Sequence, residues 1–286
     1  MCPPQYFDVT YAINAWMDTA VPVDQGLAMR QWTGLVAAYR SHGHRVEELA
    51  PVKGLVDMVF AANGATVVDG LVLPARFATA QRRPEAEFHR AWHRSHRAAL
   101  AGASVPEASA INEGEGDFAV LSDRILAGYG FRTSRHAHRE LAALTGREVV
   151  SLRLVDPRFY HLDVALTVLD DAAGHIAYYP PAFTAAGRRT LRRLYPDAII
   201  ATEADALLLG LNCVSDGLHV FAPAGAGHLI GELGLAGYQP VPIDLSELAK
   251  SGGGIKCCTQ ELRPAPLPMN LARPSPVPHE PRHHDQ

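Results

Sequence analysis

Four stretches of the chain set β-rich apolar runs on either side of a turn: MVFAANGATVVDGLVLPA, DFAVLSDRILAGYG, VALTVLDDAAGHIAYYP and NCVSDGLHVFAPA. Each predicts a hairpin. Their turns, Asp69-Gly70, Ser122-Asp123, Asp170-Asp171 and Asp216-Gly217, recur at roughly fifty residues, a period that signals a repeat architecture. Helical spacing of apolar residues fills the gaps. VDQGLAMRQWTGLVAAYRSHG places Leu27, Trp32, Leu35, Val36 and Tyr39 near one face. EAEFHRAWHRSHRAAL, HAHRELAALTG, FTAAGRRTLRRLY and GHLIGELGLAGY follow the same pattern. Short β-rich runs succeed several of them: RVEELAP, EVVSLRL, AIIAT and PVPIDL. The unit reads helix, strand, hairpin, five times over, with GGGIKCCTQELR as the hairpin-like strand of the last. Five such units in a ring close a propeller around a central channel. The competing arrangement is an ordinary α/β sheet with hairpin edges.

The 286 residues are 48% hydrophobic and 20% charged, which suits a globular chain with an ample core. A single domain is expected over residues 1–263, followed by a Pro-rich, disordered tail over 264–286. The net charge of -4 and the lack of a basic block argue against nucleic-acid binding. No apolar run reaches eighteen residues, so no membrane span is expected. The first residues, MCPPQYFDVTYAINAWMD, have neither the basic nor the apolar region of a signal peptide. With only four cysteines, this points to a reducing cytoplasm.

Two of those cysteines adjoin in SGGGIKCCTQEL, behind three glycines. Adjacent cysteines make a poor disulfide, and a metal site wants ligands two or more residues apart. A reactive thiol or a packed pair remains. The hairpin regions meanwhile carry polar residues that are costly to bury unpaired. These are Asp57 and Asn63, then Glu113, Glu115 and Asp117, then His161 and Asp163, and finally Cys257. A ring brings them to one channel mouth. A cysteine with a histidine makes a nucleophile with its acid/base, and surrounding carboxylates suit a cation such as a guanidinium.

DMVFAAN, EGEGDF, YHLD and GGGIKCCTQEL, in this order, resemble the core motifs of the guanidine-modifying (pentein, or amidinotransferase-like) superfamily. The resemblance runs from about Asp57 to Leu262. It implies an α/β fold, a five-bladed αβ propeller with pseudo-fivefold symmetry. By the same resemblance Cys257 is the nucleophile, with Cys258 packed away from the site. His161 is the acid/base, and Glu113 orients it. Because the sequence reads EGEGD where many relatives have EGGD, Glu115 is a rival for Glu113. Asp163 and Asp57 line the guanidinium pocket. Arg82, with Arg83 as its rival, and Arg132 fall where relatives bind the substrate α-carboxylate. Asn14 lies in an N-terminal segment that closes over the substrate.

Asn63 departs from the deiminases and dimethylarginine hydrolases, which usually carry an aspartate there. An amide beside HLD resembles the arginine dihydrolases. The expected activity is hydrolysis of L-arginine to ornithine, ammonia and carbon dioxide through a Cys-thiouronium intermediate. No metal and no organic cofactor is implied. Dimethylargininase and amidinotransferase are the enzymatic alternatives, with a methylated arginine as substrate in the first. An arginine-binding sensor is the non-enzymatic one.

Overall fold

The computed structural model describes residues 1–96 and 105–264. The tail expected over 264–286 lies, from residue 265 on, outside the described residues. The chain opens with an extended segment and α1 (Gln25–Ser41), capped by the Asp24 carboxylate on Leu27 N–H. A hairpin follows, β1 (Ala65–Val68) and β2 (Leu71–Pro74), and then α2 (Glu85–Ser95). Asp69 and Gly70 both take positive φ, 50° and 79°, as a two-residue hairpin turn requires.

Three units of one design come next. The first is β3 (Phe118–Val120), β4 (Arg124–Tyr129), α3 (Arg135–Thr145) and β5 (Glu148–Arg153). The second is β6 (Leu166–Asp170), β7 (His175–Tyr178), α4 (Ala185–Leu194) and β8 (Ile199–Ile200). After the short α5 (Glu203–Ala206) come β9 (Val214–Ser215), β10 (His219–Pro223), α6 (Gly227–Leu235) and β11 (Gln239–Ile243). In each, an antiparallel hairpin is joined by a parallel strand beside its second member. The helix between them supplies the crossover that a parallel pair needs. The last element is α7 (Ser246–Ala249).

The sequence expectation of five strand-bearing units is therefore met in part. The four hairpins and the three later parallel strands stand where the pattern puts them. RVEELAP and GGGIKCC form no strand; the first runs extended and the second forms turns. The described strands make four separate sheets and no closed one. The fold is a mixed α/β one. Neither segment finds a strand partner among the described sheets, and the three successive glycines of the second have no side chains to pack on a sheet face.

Adjacent units lock through their first strands: Thr167 Oγ1 donates to the Cys213 carbonyl and Ser215 Oγ to the Leu169 carbonyl. α1 covers the last unit, with Tyr39 against Phe221 at 4.6 Å between ring centroids. What positions the site is the tight turn before each hairpin. Residues Val56–Val59 and Ala61–Gly64 precede β1, Gly114–Gly116 precede β3, and Leu162–Val164 precede β6. These 3₁₀ turns direct polar side chains inward at the same point of successive units.

Candidate active site

The inward turns bring Cys257, His161, Glu113, Asp163, Asn63 and Asp57 together in the interior, each at most 5% exposed. His161 donates from Nε2 to Glu113 Oε2 at 2.9 Å. Its other nitrogen, Nδ1, is buried and has no hydrogen-bond partner among the described residues. The carboxylate thus fixes the orientation of the ring and leaves one nitrogen without a protein partner among the described residues. Glu113 also receives Arg132 Nη1 at 2.9 Å. Burial alone would raise the Glu113 carboxyl. The hydrogen bond from His161 and the charge of Arg132 outweigh it and hold the group down at about 2. Glu113 is thus a permanent anion beneath the imidazole.

The rivalry of two glutamates is resolved by geometry. Glu115 is turned away from His161, toward Lys256, Arg263 and the Glu261 backbone N–H. It fastens the C-terminal segment. Asp117, weighed only as one of the buried acids, accepts from Leu162 N–H at 3.1 Å and lies 3.9 Å from His161 Nε2.

The Cys257 thiol donates to Asp163 Oδ2 at 3.0 Å. Burial, and then the Asp163 carboxylate beside it, keep the thiol well above its ordinary range. Burial likewise pushes Asp163 up to about 7, partly offset by the Cys257 hydrogen bond and the Lys256 charge. Asp163 Oδ1 is buried and has no partner among the described residues, so the carboxylate retains an acceptor for a ligand. Cys258 is fully buried against Cys2 and the apolar interior. The cysteines at 2, 213, 257 and 258 are all free.

Asn63 Oδ1 accepts from Arg82 Nη1 at 2.6 Å. Arg82 is itself buried, bidentate on Glu85 and bonded to the Asp57 carbonyl. Arg83 is exposed on the Ala78 carbonyl, so Arg82 is the inward member of the pair. A Cβ on Gly116 would stand 2.4 Å from Asn63 Nδ2 and 3.0 Å from His161 Nδ1. Glycine there lets the amide and the imidazole approach the same point.

The N-terminal segment is hydrogen-bonded to residues of the site and to its neighbours. Tyr11 donates to Asp57 Oδ2, Arg132 Nη2 to the Ile13 carbonyl, Asn14 Nδ2 to the Ser251 carbonyl, and Trp16 Nε1 to the Arg158 carbonyl. Ser251 Oγ holds the other Asp57 oxygen. Neither arginine expected at a substrate carboxylate stands free: both are engaged by protein carboxylates, Arg82 by Glu85 and Arg132 by Glu113. Among the described residues no group of three or more metal-ligating side chains is arranged to hold an ion.

Sequence reasoning missed Asn212. Its Nδ2 lies 3.1 Å from Cys257 Sγ. It stands two residues before β9, as Asn63 stands two before β1, so the repeat itself carried the signal.

No protein-family model matches the chain. Over 264 residues it is 48% identical to N(G),N(G)-dimethylarginine dimethylaminohydrolase of Mycobacterium tuberculosis, covering 92% of this chain and 85% of that protein. It is 36% identical over 266 residues to the bifunctional arginine dihydrolase/ornithine cyclodeaminase AgrE of Nostoc sp., covering 91% of this chain and 37% of that larger enzyme. The N-terminal domain of ArgZ, a cyanobacterial arginine dihydrolase crystallised with its substrate, superposes with a TM-score of 0.85 at 35% identity, covering 92% and 97% of the two chains. The architecture, the buried cysteine–histidine–carboxylate centre and these similarities agree. The chain belongs to the family of guanidino-group hydrolases that contains the dimethylarginine dimethylaminohydrolases and the arginine dihydrolases.

Proposed function

We propose that the chain is an arginine dihydrolase, with Cys257 as nucleophile, His161 as acid/base and Glu113 as its orienting anion. Asp163 and Asp57 flank the guanidinium, Asn14 belongs to the closing segment, and Arg82 and Arg132, paired with Glu85 and Glu113 in this structure, meet the α-carboxylate only by sharing or exchanging those partners. In this reading the four sheets and the 251–262 segment are five equivalent units, each giving one polar turn to a central site. No cofactor takes part in the steps.

The observation that carries the reading is the Asn63 amide. Because Oδ1 is committed to Arg82 and one Nδ2 hydrogen reaches the Glu113 carbonyl at 3.5 Å, what is left for a ligand is the second Nδ2 hydrogen, a donor. A guanidinium has only donors to offer and gains nothing from it. A urea oxygen does. The amide therefore favours retention of the neutral product of a first hydrolysis, which is the requirement for a second.

The steps follow from the polar groups. The substrate cation docks on the unpartnered Asp163 oxygen, and its charge lowers the cost of a thiolate. As Sγ attacks the guanidinium carbon its proton passes to His161 Nδ1, and the imidazolium so formed delivers that proton to the leaving ammonia. The same nitrogen then takes a proton from water, which displaces sulfur and gives the urea. A second round on the urea releases the second ammonia and leaves ornithine with carbon dioxide. A variant ArgZ domain has been crystallised covalently bound to a reaction intermediate, which supports a covalent route in that relative.

Dimethylargininase is the second reading, favoured by the 48% identity to the mycobacterial enzyme. The two separate on kcat/KM for L-arginine against N(G),N(G)-dimethylarginine. The dihydrolase reading expects arginine to be preferred at least tenfold. The reverse preference replaces it with the second.

A further inference from the structure

The Asn212 side chain is fully buried, and its partners fix its orientation. Oδ1 accepts from the Cys257 backbone N–H at 3.1 Å. Nδ2 donates to the Asp163 carbonyl and to Cys257 Sγ, each at 3.1 Å. An N–H group can meet only the amide oxygen, and a carbonyl only the amide nitrogen, so a flipped amide is excluded. A Cβ on Gly254 would come within 2.9 Å of Asn212 Oδ1, so the last of the three glycines leaves the amide its place.

We propose that Asn212 is a catalytic residue, whose side-chain N–H donates to the Cys257 sulfur and stabilises the thiolate. This rests on the reading of Cys257 as nucleophile. Two neighbours act on the sulfur in opposite senses. Asp163 Oδ2 accepts the thiol proton and favours S–H. Asn212 Nδ2 donates and favours S⁻. When a substrate cation engages Asp163, the carboxylate's preference for the thiol weakens and the amide donor remains. The thiol proton passes to His161 Nδ1, which later gives it to the leaving ammonia, and no covalent bond of Asn212 changes. A hydrogen bond to a charged group is stronger than one to a neutral group, so the contact tightens as the thiolate forms.

The test is the pH dependence of alkylation of the full chain by iodoacetamide, with the modified residue mapped to Cys257. Asn212→Asp keeps the shape and exchanges the donor for an acceptor. Its alkylation midpoint is expected to rise by about one pH unit or more, so that the rate at a fixed lower pH falls about tenfold. Gly254→Ala, which crowds the amide without altering it, is expected to move the midpoint the same way by less. A folded Asn212→Asp protein with the wild-type midpoint overturns the proposal. A readout on wild-type protein covers variants that do not fold: the Asn212 side-chain amide resonance is expected to shift as the Cys257 thiol titrates, and an unmoved resonance overturns the proposal equally. Turnover by Cys257→Ser separates the two levels. If that variant stays active, the nucleophile itself is misassigned. If it is dead while the midpoint stays unmoved, only the role of Asn212 fails.

Discussion

Asn63 Oδ1 and Arg82 Nη1 lie 2.6 Å apart, and this contact decides which end of the amide faces the site. An aspartate at the same position would pair its charge with Arg82 and present only acceptor oxygens. Such a site holds a guanidinium well and a urea poorly. Asn63→Asp is expected to accumulate citrulline from arginine, with loss of the contact costing about 1–3 kcal/mol in the second hydrolysis. Chromatography of the products against time checks this. Unchanged ornithine production refutes it.

Cys257 and Cys258 differ in what surrounds them. The first meets Asp163 and Asn212, and the second is fully buried without a polar partner. Cys257→Ser is expected to remove turnover while keeping the thermal transition. Cys258→Ser is expected to keep most activity and lose roughly 1–2 kcal/mol of stability, because a hydroxyl replaces a packed thiol. Activity and unfolding measured on both variants decide it. A dead Cys258 variant beside an active Cys257 one contradicts the assignment.

The pair of Glu113 and His161 predicts graded losses. His161→Ala removes the acid/base and is expected to cost about 10²–10⁴-fold in kcat. Glu113→Gln keeps the size of the partner but removes its charge, and with it the support for an imidazolium. It is expected to be impaired less than His161→Ala, while Glu115→Gln, which touches Lys256 and Arg263 instead, is expected to affect stability more than kcat. Steady-state kinetics on the three proteins rank them. Equal kcat in Glu113→Gln and wild type contradicts the orienting role.

Asp163 gives a pH prediction with a defined sign. Its carboxyl is raised to about 7 in the folded state. The ordinary value is about 3.9, so between these limits the folded chain binds more protons than the unfolded one. The associated stability is present at low pH and is lost as pH rises through about 7. Asp163→Asn, which cannot ionise, is therefore expected to be more stable than wild type at pH 8, on the order of 2 kcal/mol, with the difference closing toward pH 4. For catalysis the dependence reverses. A guanidinium needs the carboxylate, so kcat/KM in wild type is expected to fall as pH drops below about 7. Urea unfolding and kinetics across the same pH range test both signs.

The segment from Tyr11 to Trp16 makes side-chain contacts to Asp57, Ser251 and Arg158. If it closes over the substrate, as the proposed function has it, ligand entry breaks them. Asn14→Ala removes the bonds to the Ser251 carbonyl and from Trp16 N–H, and Trp16→Ala removes the bond to the Arg158 carbonyl together with the packing of the indole; both are expected to raise KM about fivefold or more with a smaller change in kcat. A fall in kcat with KM unchanged contradicts a closing role.

Much of this arrangement was legible in the sequence, for reasons that the structure explains. Asp69-Gly70 marks a hairpin because both residues adopt positive φ, and three of the helix-to-parallel-strand connections kept their period. Buried acids such as Glu113 stand out in a β-rich context because burial without partners is costly. What was hidden depends on turn geometry. Glu113 and Glu115 are two residues apart in EGEGD, and only the 3₁₀ turn over Gly114–Gly116 sends one to His161 and the other to Lys256. Asn212 drew no attention, because an asparagine just before a hairpin is common in turns and only its place in the repeat marks it. The strands expected in RVEELAP and GGGIKCC failed because sheet pairing is a tertiary property that a short β-rich run does not ensure.

The central claim is that one active site removes both terminal nitrogens of arginine. The measurement that tests it most directly is the stoichiometry of wild-type protein on a limiting amount of L-arginine, followed to completion. The account predicts ornithine and two molecules of ammonia for each arginine consumed, with no lasting citrulline. One ammonia and one citrulline per arginine, or turnover confined to dimethylarginine, contradicts it.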